Sequence, residues 1–468
     1  MNFAYLLPLL WLLIGCQPNN RAASAAAADL FIRDTDGRAL ILHGINDISA
    51  AKHAPGGHGP VTEADVERRA QWGFNVVRYL IFWRWIEPEK GVFDTAYLDE
   101  VARRIRWYAD RGIHVVLDMH QDIYGYAVNG NGAPAWATET DGVTPVDIGT
   151  GPWWLQNIDP AVKNAWRNFW EYTDHRELQD HYILAWQFVA EYFRDEPAVI
   201  GYDLMNEPFA GTFHQSVFED FEQTWLSAFY RRLIPALRQV DPDRYLFFEP
   251  QSLFVVFGRP SNLLPPADPR NGAQRLVFAP HLYPFYFHEG DGLRQSGREE
   301  LAEWEVNRRF EMTKFGAPLF VGEFGGSDQQ EDADEYYRSV MAMFDRMGAS
   351  WALWSGDPGS WGPVDGDGNE TAKMNHLVRP FPRSVAGTPT TFSFDPDSGA
   401  FTLSWDSTAV SVTDTTIFLP ERHYPDGWDI DMSDRDGTWT TTWNAERRWL
   451  IVTHDPSLTR HTITIRPR

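Results

Sequence analysis

Between about residue 38 and residue 380 the chain alternates short apolar runs with longer stretches of helical period. The runs are residues 39–46, 75–80, 114–120, 199–208, 245–249, 276–281, 319–324 and 350–355. They are rich in Val, Ile, Leu and Phe and show little polar alternation, which is the pattern of strands covered on both faces in a parallel sheet. Thr62-Glu63-Ala64-Asp65 opens the first intervening helix with a threonine placed to cap it. Eight such runs, mostly followed by helices, predict an α/β fold of the closed (β/α)8 kind, a TIM barrel. A doubly wound open sheet would carry a Gly-rich phosphate turn after its first strand, and the sequence has none there.

The pattern changes near Pro380-Phe381-Pro382. Residues 392–394, 401–405, 415–419, 439–443, 449–452 and 461–465 are short, β-branched or aromatic and partly alternating. Turn residues such as Asp397-Ser398-Gly399 and Asp436-Gly437 separate them, which predicts a small antiparallel β-sandwich. The domain reading is a catalytic barrel over 30–383 and a C-terminal β-sandwich over 384–468. Packing against the barrel accounts for the sandwich more simply than sugar binding does.

In a barrel the C-terminal ends of the strands face the active site. Polar residues at those ends are Arg78, His120, Gln121, Asp122, Asn206, Glu207, His281, Tyr283, Glu323 and Trp354. Charges that end apolar runs are costly to bury without partners, so a ring of them on one rim points to chemistry. Glu207 ends the fourth run and Glu323 the seventh, across the mouth from one another. Two carboxyl groups about 5–5.5 Å apart leave no room for a water between carboxylate and sugar, and cleave a glycoside by covalent attack with retention. The expected roles are Glu323 as nucleophile and Glu207 as acid/base. Arg78 and Tyr283 would keep Glu323 ionised, and Asn206 would bond the sugar 2-hydroxyl.

Asn206-Glu207-Pro208 together with Gly322-Glu323-Phe324-Gly325 resembles glycoside hydrolase family 5 of clan A. Arg78, His120, His281, Tyr283 and Trp354 stand where that family has its other site positions. More narrowly, Asp118-Met119-His120-Gln121-Asp122-Ile123-Tyr124 is similar to the third-strand signature of endoglycoceramidases. Lys52, after Asn46-Asp47-Ile48-Ser49, is similar to their sugar-binding loop. The resemblance implies cleavage between oligosaccharide and ceramide, with Lys52, Gln121 and Asp122 holding the glucose beside the scissile bond. It leaves other family 5 β-glycosidases open: glucosylceramidase, endoglucanase or mannanase. A non-catalytic surface glycan-binding lipoprotein is the reading outside the enzymes. The rim loops 209–213, 254–257 and 284–287 are unusually apolar, which suits a lipid aglycone unless they pack on one another.

Composition narrows this picture. A net charge of −24 disfavours nucleic acid and anionic lipid as electrostatic partners. The 21 Trp and 17 Tyr suit a substrate with sugar faces or lipid chains, although most of these rings are needed for core. The single cysteine, Cys16, excludes an intrachain disulfide framework. It follows an apolar run over 6–14 that reads as a secretory signal, and Leu13-Ile14-Gly15-Cys16 resembles a bacterial lipobox, although no Lys or Arg precedes the run. The N-terminal expectation is therefore a signal over 1–16 and a flexible tether over 17–29. The chain would be exported, either lipidated at Cys16 in the cell envelope or secreted, and an anchored chain would meet the membrane through its lipid and the apolar rim. No metal or cofactor is expected: no paired-His helix motif occurs, and Asp365-Gly366-Asp367-Gly368-Asn369 lacks the sixth-position Gly and late Glu of an EF-hand and reads as a turn.

Overall fold

A computed structural model describes residues 29–146, 153–170, 175–212, 220–289, 292–408 and 410–468. Cys16, the signal region and all of the tether but residue 29 lie outside them, as does Phe213. Among the described residues no helix is long and apolar enough to cross a membrane.

The described residues open with a short hairpin, β1 (Ile32–Arg33) and β2 (Ala39–Leu40). The barrel strands follow: β3 (His43–Asn46), β4 (Val76–Ile81), β5 (His114–Met119), β6 (Val199–Asp203), β7 (Tyr245–Phe248), β8 (Leu276–Phe278), β9 (Phe320–Phe324) and β10 (Ser350–Leu353). They pair in parallel in the order β8-β7-β6-β5-β4-β3-β10-β9. Bridges Phe278–Leu319 and Leu282–Phe324 join the two ends and close the barrel. The helix Glu63–Gln71 is capped as expected, with the Asp65 amide donating to the Thr62 hydroxyl at 3.3 Å.

The run read as one first strand over 39–46 is two strands of different sheets. Ala39–Leu40 pairs with the C-terminal domain, and only His43–Asn46 belongs to the barrel. The reason is visible in the packing: Ile32 and Leu40 are buried against Leu42, Val76, Val116, Phe247, Val277 and Phe320, so the hairpin plugs the end of the barrel opposite the rim.

The C-terminal strands are β11 (Phe381–Val385), β12 (Thr388–Asp395), β13 (Ala400–Asp406), β14 (Asp414–Phe418), β15 (Trp428–Met432), β16 (Thr440–Asn444), β17 (Trp449–Thr453) and β18 (Arg460–Pro467). They form two antiparallel sheets, β1-β2-β11-β14-β17-β16 and β12-β13-β18-β15. β11 starts before the boundary read at 383/384, soon after the helix Met374–Leu377 ends. Asp345, on the barrel helix Ala333–Met347, pairs with Arg379 and accepts from the Phe394 amide, and Arg383 donates to Gly73 O at 2.7 Å, so the sandwich is bonded to the barrel wall. The 365–369 segment is a turn whose Asp365 carboxylate accepts the amides of Asp367 and Asn369.

Candidate active site

Arg78, on β4, is wholly buried at the centre of the rim. Its guanidinium reaches four carboxylates: Asp203 at 2.7 Å, Asp118 and Glu323 at 2.9 Å, and Glu249 at 3.0 Å. It also donates to the side-chain oxygens of Asn46 at 3.0 Å and Asn206 at 2.8 Å. Five fixed N–H donors in one plane suit arginine to this cage, and a lysine would fill only part of it.

Glu323 accepts from Arg78 through one oxygen and from the Tyr283 hydroxyl, at 2.9 Å, through the other. Burial first, then Glu323 and Glu207, push the Tyr283 phenol well above its ordinary range, so it remains a donor. Glu207 accepts from His281 Nδ1 at 2.9 Å, and His281 Nε2 lies 3.4 Å from Glu249. Burial opposes a charge on His281, but Glu249, Glu323 and Glu207 outweigh it and raise the imidazole well above its usual value. Burial is also the first cause that raises Glu207; His281 opposes it, while Glu323 and Glu249 add to it. One oxygen each of Glu207 and Glu323 and a nitrogen of His281 lie within 4.8 Å of one another. Those three could make a metal triad by type, but Glu207 is already bonded to His281, and Glu323 to Arg78 and Tyr283.

Glu207 holds a left-handed backbone, φ 44°, uncommon for a residue with a side chain. Two contacts hold it there: Glu249 accepts from its amide at 2.9 Å, and Gln121 donates to its carbonyl at 3.0 Å. Gln121 was expected to hold sugar, and in the structure its side chain is turned to backbone groups. Its amide nitrogen is bonded to the carbonyls of Asn206 and Glu207, and its oxygen accepts the Tyr124 amide. It positions the backbone that presents the acid. Asn206 spends one amide hydrogen on Gln121 O at 2.9 Å and keeps the second. Gly322 precedes the nucleophile candidate under the His281 ring, where a Cβ would meet Nε2 at 3.0 Å, so any larger residue would press on His281.

The residues expected to hold sugar converge beside this pair. Asp357 accepts from the amides of Ser49 and Ala50, which fixes the turn Ser49–Lys52. Lys52 reaches Asp122 at 2.8 Å and lies 4.6 Å from the centre of the Trp354 ring. Trp354 stacks on His120 with ring centres 5.3 Å apart. His120 Nδ1 bonds Asp118 at 2.7 Å. Burial alone would lower His120, but Asp118 and Asp122 overcome it and raise it to about 9. Burial pushes Asp122 up, yet Lys52 and His120 hold it well below the usual carboxylate range. The charges thus alternate from Lys52 through Asp122, His120, Asp118 and Arg78 to Glu323.

Two family models match the chain: the cellulase family (glycosyl hydrolase family 5) over residues 34–360, and the glycoside hydrolase family 5 C-terminal domain over 379–465. This chain belongs to glycoside hydrolase family 5. Endoglycoceramidase I of Rhodococcus hoagii (strain 103S) is 31% identical over 414 residues, 85% of this chain and 80% of the relative. Two solved structures of endo-glycoceramidase II from Rhodococcus sp. are each 40% identical, with 94% of this chain and 99% of theirs covered. The ganglioside GM3 complex matches with a TM-score of 0.86, and the lactosyl-enzyme intermediate with 0.85.

Sequence reasoning passed over Asp118, Asp203 and Glu249, three of the four carboxylates around Arg78. Glu249 carried the signal that selected Glu207, an acid at the end of an apolar run, whereas Asp118 and Asp203 lie inside theirs. On the other half of the rim, Phe254, Phe257, Phe285 and Tyr286 are half-buried, while Phe209 and Phe287 are buried. The four half-buried rings pack on one another, Phe254 to Phe257 at 6.4 Å, Phe257 to Phe285 at 5.7 Å and Phe285 to Tyr286 at 5.7 Å, while Phe209 packs on Trp166 and Phe287 on Tyr336.

Proposed function

We propose that this family 5 hydrolase cleaves the β-glycosidic bond between oligosaccharide and ceramide in glycosphingolipids, with retention at the anomeric carbon. The carrying observation is the carboxylate pair within 4.8 Å, below the spacing of about 6.5–9.5 Å that would seat an attacking water. The half-buried aromatic rim beside Glu207 supports the lipid aglycone, and the endoglycoceramidase relatives support it independently. Glu323 attacks C1 while Glu207 gives its proton to the departing ceramide oxygen, leaving a glycosyl ester on Glu323. Glu207, now ionised, takes a proton from water, whose oxygen attacks C1 and frees Glu323. The remaining amide hydrogen of Asn206 is available to the 2-hydroxyl, and Lys52, Asp122, His120 and Trp354 hold the sugar beside the bond.

The test is incubation with a ganglioside, glucosylceramide and carboxymethylcellulose. Intact oligosaccharide plus ceramide from the first is the expected product. Turnover of only glucosylceramide or only the polysaccharide would move the chain to another family 5 activity, and turnover of none would favour the non-catalytic reading.

Glu207→Gln should lose about a hundredfold to ten-thousandfold on the natural bond, yet keep the first step on activated aryl glycosides, whose leaving group needs little proton help. The active form of Glu207 is protonated and its pKa is raised, so kcat/KM on glycosphingolipid should fall as pH rises through that pKa. The variant should lack this alkaline limb. Equal loss on both substrate types would contradict the assignment.

We also propose export and lipidation at Cys16, with a membrane-facing role for the aromatic rim. Leu13-Ile14-Gly15-Cys16 and the preceding apolar run support it. Labelled fatty acid should enter the full-length chain expressed in a bacterial host and not Cys16→Ser; equal labelling, or none in either, would refute it.

A further inference from the structure

Arg84 is a rim cation held by neutral groups. The protein has 65 acidic residues against 41 Lys and Arg, yet among the described residues Arg84 has no carboxylate partner. Burial pushes its guanidinium below the usual arginine range, and the groups that oppose this are tyrosines, Tyr126 and Tyr97. One N–H donates to Lys52 O at 2.8 Å, and Nε is buried without an acceptor. Anchoring the Lys52 turn uses only one of five donors, so the remainder of the group is not explained by that bond.

Its surroundings form a shelf on the sugar side of the rim. The Arg84 guanidinium lies 5.2 Å from the Trp85 ring centre and 5.4 Å from that of Tyr126. Tyr126 is 66% exposed, on the turn Tyr126–Val128 that follows the Asp122 loop. A large ring left this open on a catalytic rim offers a flat face for the C–H side of a sugar. Gly57, at φ 69°, lies against Trp85, where a Cβ would meet the ring at 2.4 Å, so the shelf is closely fitted from below. Because Arg84 bonds the backbone of Lys52, the shelf continues outward from the pocket that Lys52 and Asp122 line.

We propose that Arg84 and Tyr126 form an outer glycone subsite for a carboxylate-bearing sugar, reached by an oligosaccharide that extends past the unit at Lys52 and Asp122. The inference rests on the reading of this rim as a glycan-binding rim, and adds to it the class of glycan preferred. A guanidinium pairs with a carboxylate in a forked geometry, and in a chain of net charge −24 a local cation is what allows an acidic glycan to dock. The Tyr126 ring would stack the sugar that carries the acid.

The experiment is calorimetric binding of free sialyllactose and lactose to the wild-type protein, Arg84→Met and Arg84→Lys at low and at moderate salt. Wild type should bind sialyllactose about tenfold or more tighter than lactose, with the difference narrowing as salt rises. Arg84→Met should erase the preference, and Arg84→Lys should keep part of it. Equal affinity of the wild type for both sugars, or equal weakening of both by Arg84→Met, would overturn the proposal. Binding of free sugars requires no ceramide cleavage, so a failure of the glycosphingolipid reading appears in the hydrolysis test and not in this one.

Discussion

Glu323→Gln is expected to lower turnover of every β-glycoside on the order of a thousandfold or more, on activated and natural substrates alike, because covalent catalysis is lost. Glutamine keeps the shape, and its oxygen can still accept from Arg78 while its amide donates to the Tyr283 hydroxyl, so folding should be little changed and the loss is chemical. The pattern separates the two glutamates. Removing the acid harms poor leaving groups selectively, whereas removing the nucleophile harms all of them. A smaller Glu323→Gly variant leaves space for an external anion. Azide attacking from the vacated face should restore turnover of an aryl β-glycoside and yield the α-glycosyl azide. Unchanged turnover in Glu323→Gln would refute the role, and a β product from the azide reaction would place the attack on the wrong face.

The second large effect belongs to Arg78. Arg78→Met keeps an apolar stem in place of the arginine's but removes the cation shared by Asp118, Asp203, Glu249 and Glu323. Breaking a buried ion pair from one side costs about 3–5 kcal/mol, since the remaining charge stays in a dry site. Asp203 is already raised well above the carboxylate range, by burial first and then by Glu249 and Asp118, with Arg78 as the opposing influence. Without Arg78 these carboxyls should bind protons in the folded chain at pH values where the unfolded chain has lost them. Stability then rises as pH falls, so the deficit should be largest at mildly alkaline pH and shrink on acidification. Denaturant melts at pH 5 and pH 8 check the sign. A deficit independent of pH would mean that Arg78 contributes packing and not charge. Activity should be lost at both pH values, since Glu323 and Asn206 both depend on that guanidinium for position.

The barrel was legible because strands covered on both faces read as continuous apolar runs, and the close pairing of Glu207 and Glu323 because charge at the end of such a run has few structural uses. The limits have the same origin. Ala39–Leu40 is as apolar as His43–Asn46, and hydrophobicity along the chain does not record which sheet a strand joins. Asp118 lies inside a run, where it interrupts the pattern without ending it, so its place beside Arg78 required the register of β4 and β5, which sets Leu80 opposite Asp118. Gln121 neighbours true rim residues, but its amide is turned to the backbone carbonyls of Asn206 and Glu207, a direction that no motif encodes. The apolar rim loops were readable as apolar, while their mutual packing depends on where the barrel brings them together.

The most direct measurement is peptide mapping of the protein after reaction with 2-deoxy-2-fluoro-β-lactosyl fluoride, a substrate whose good leaving group forms the glycosyl ester and whose fluorine slows its hydrolysis. One lactosyl adduct on the peptide that holds Glu323 is the predicted result. An adduct on Glu207, or unlabelled protein that releases the α-sugar from natural β-glycosides, would contradict covalent capture by Glu323.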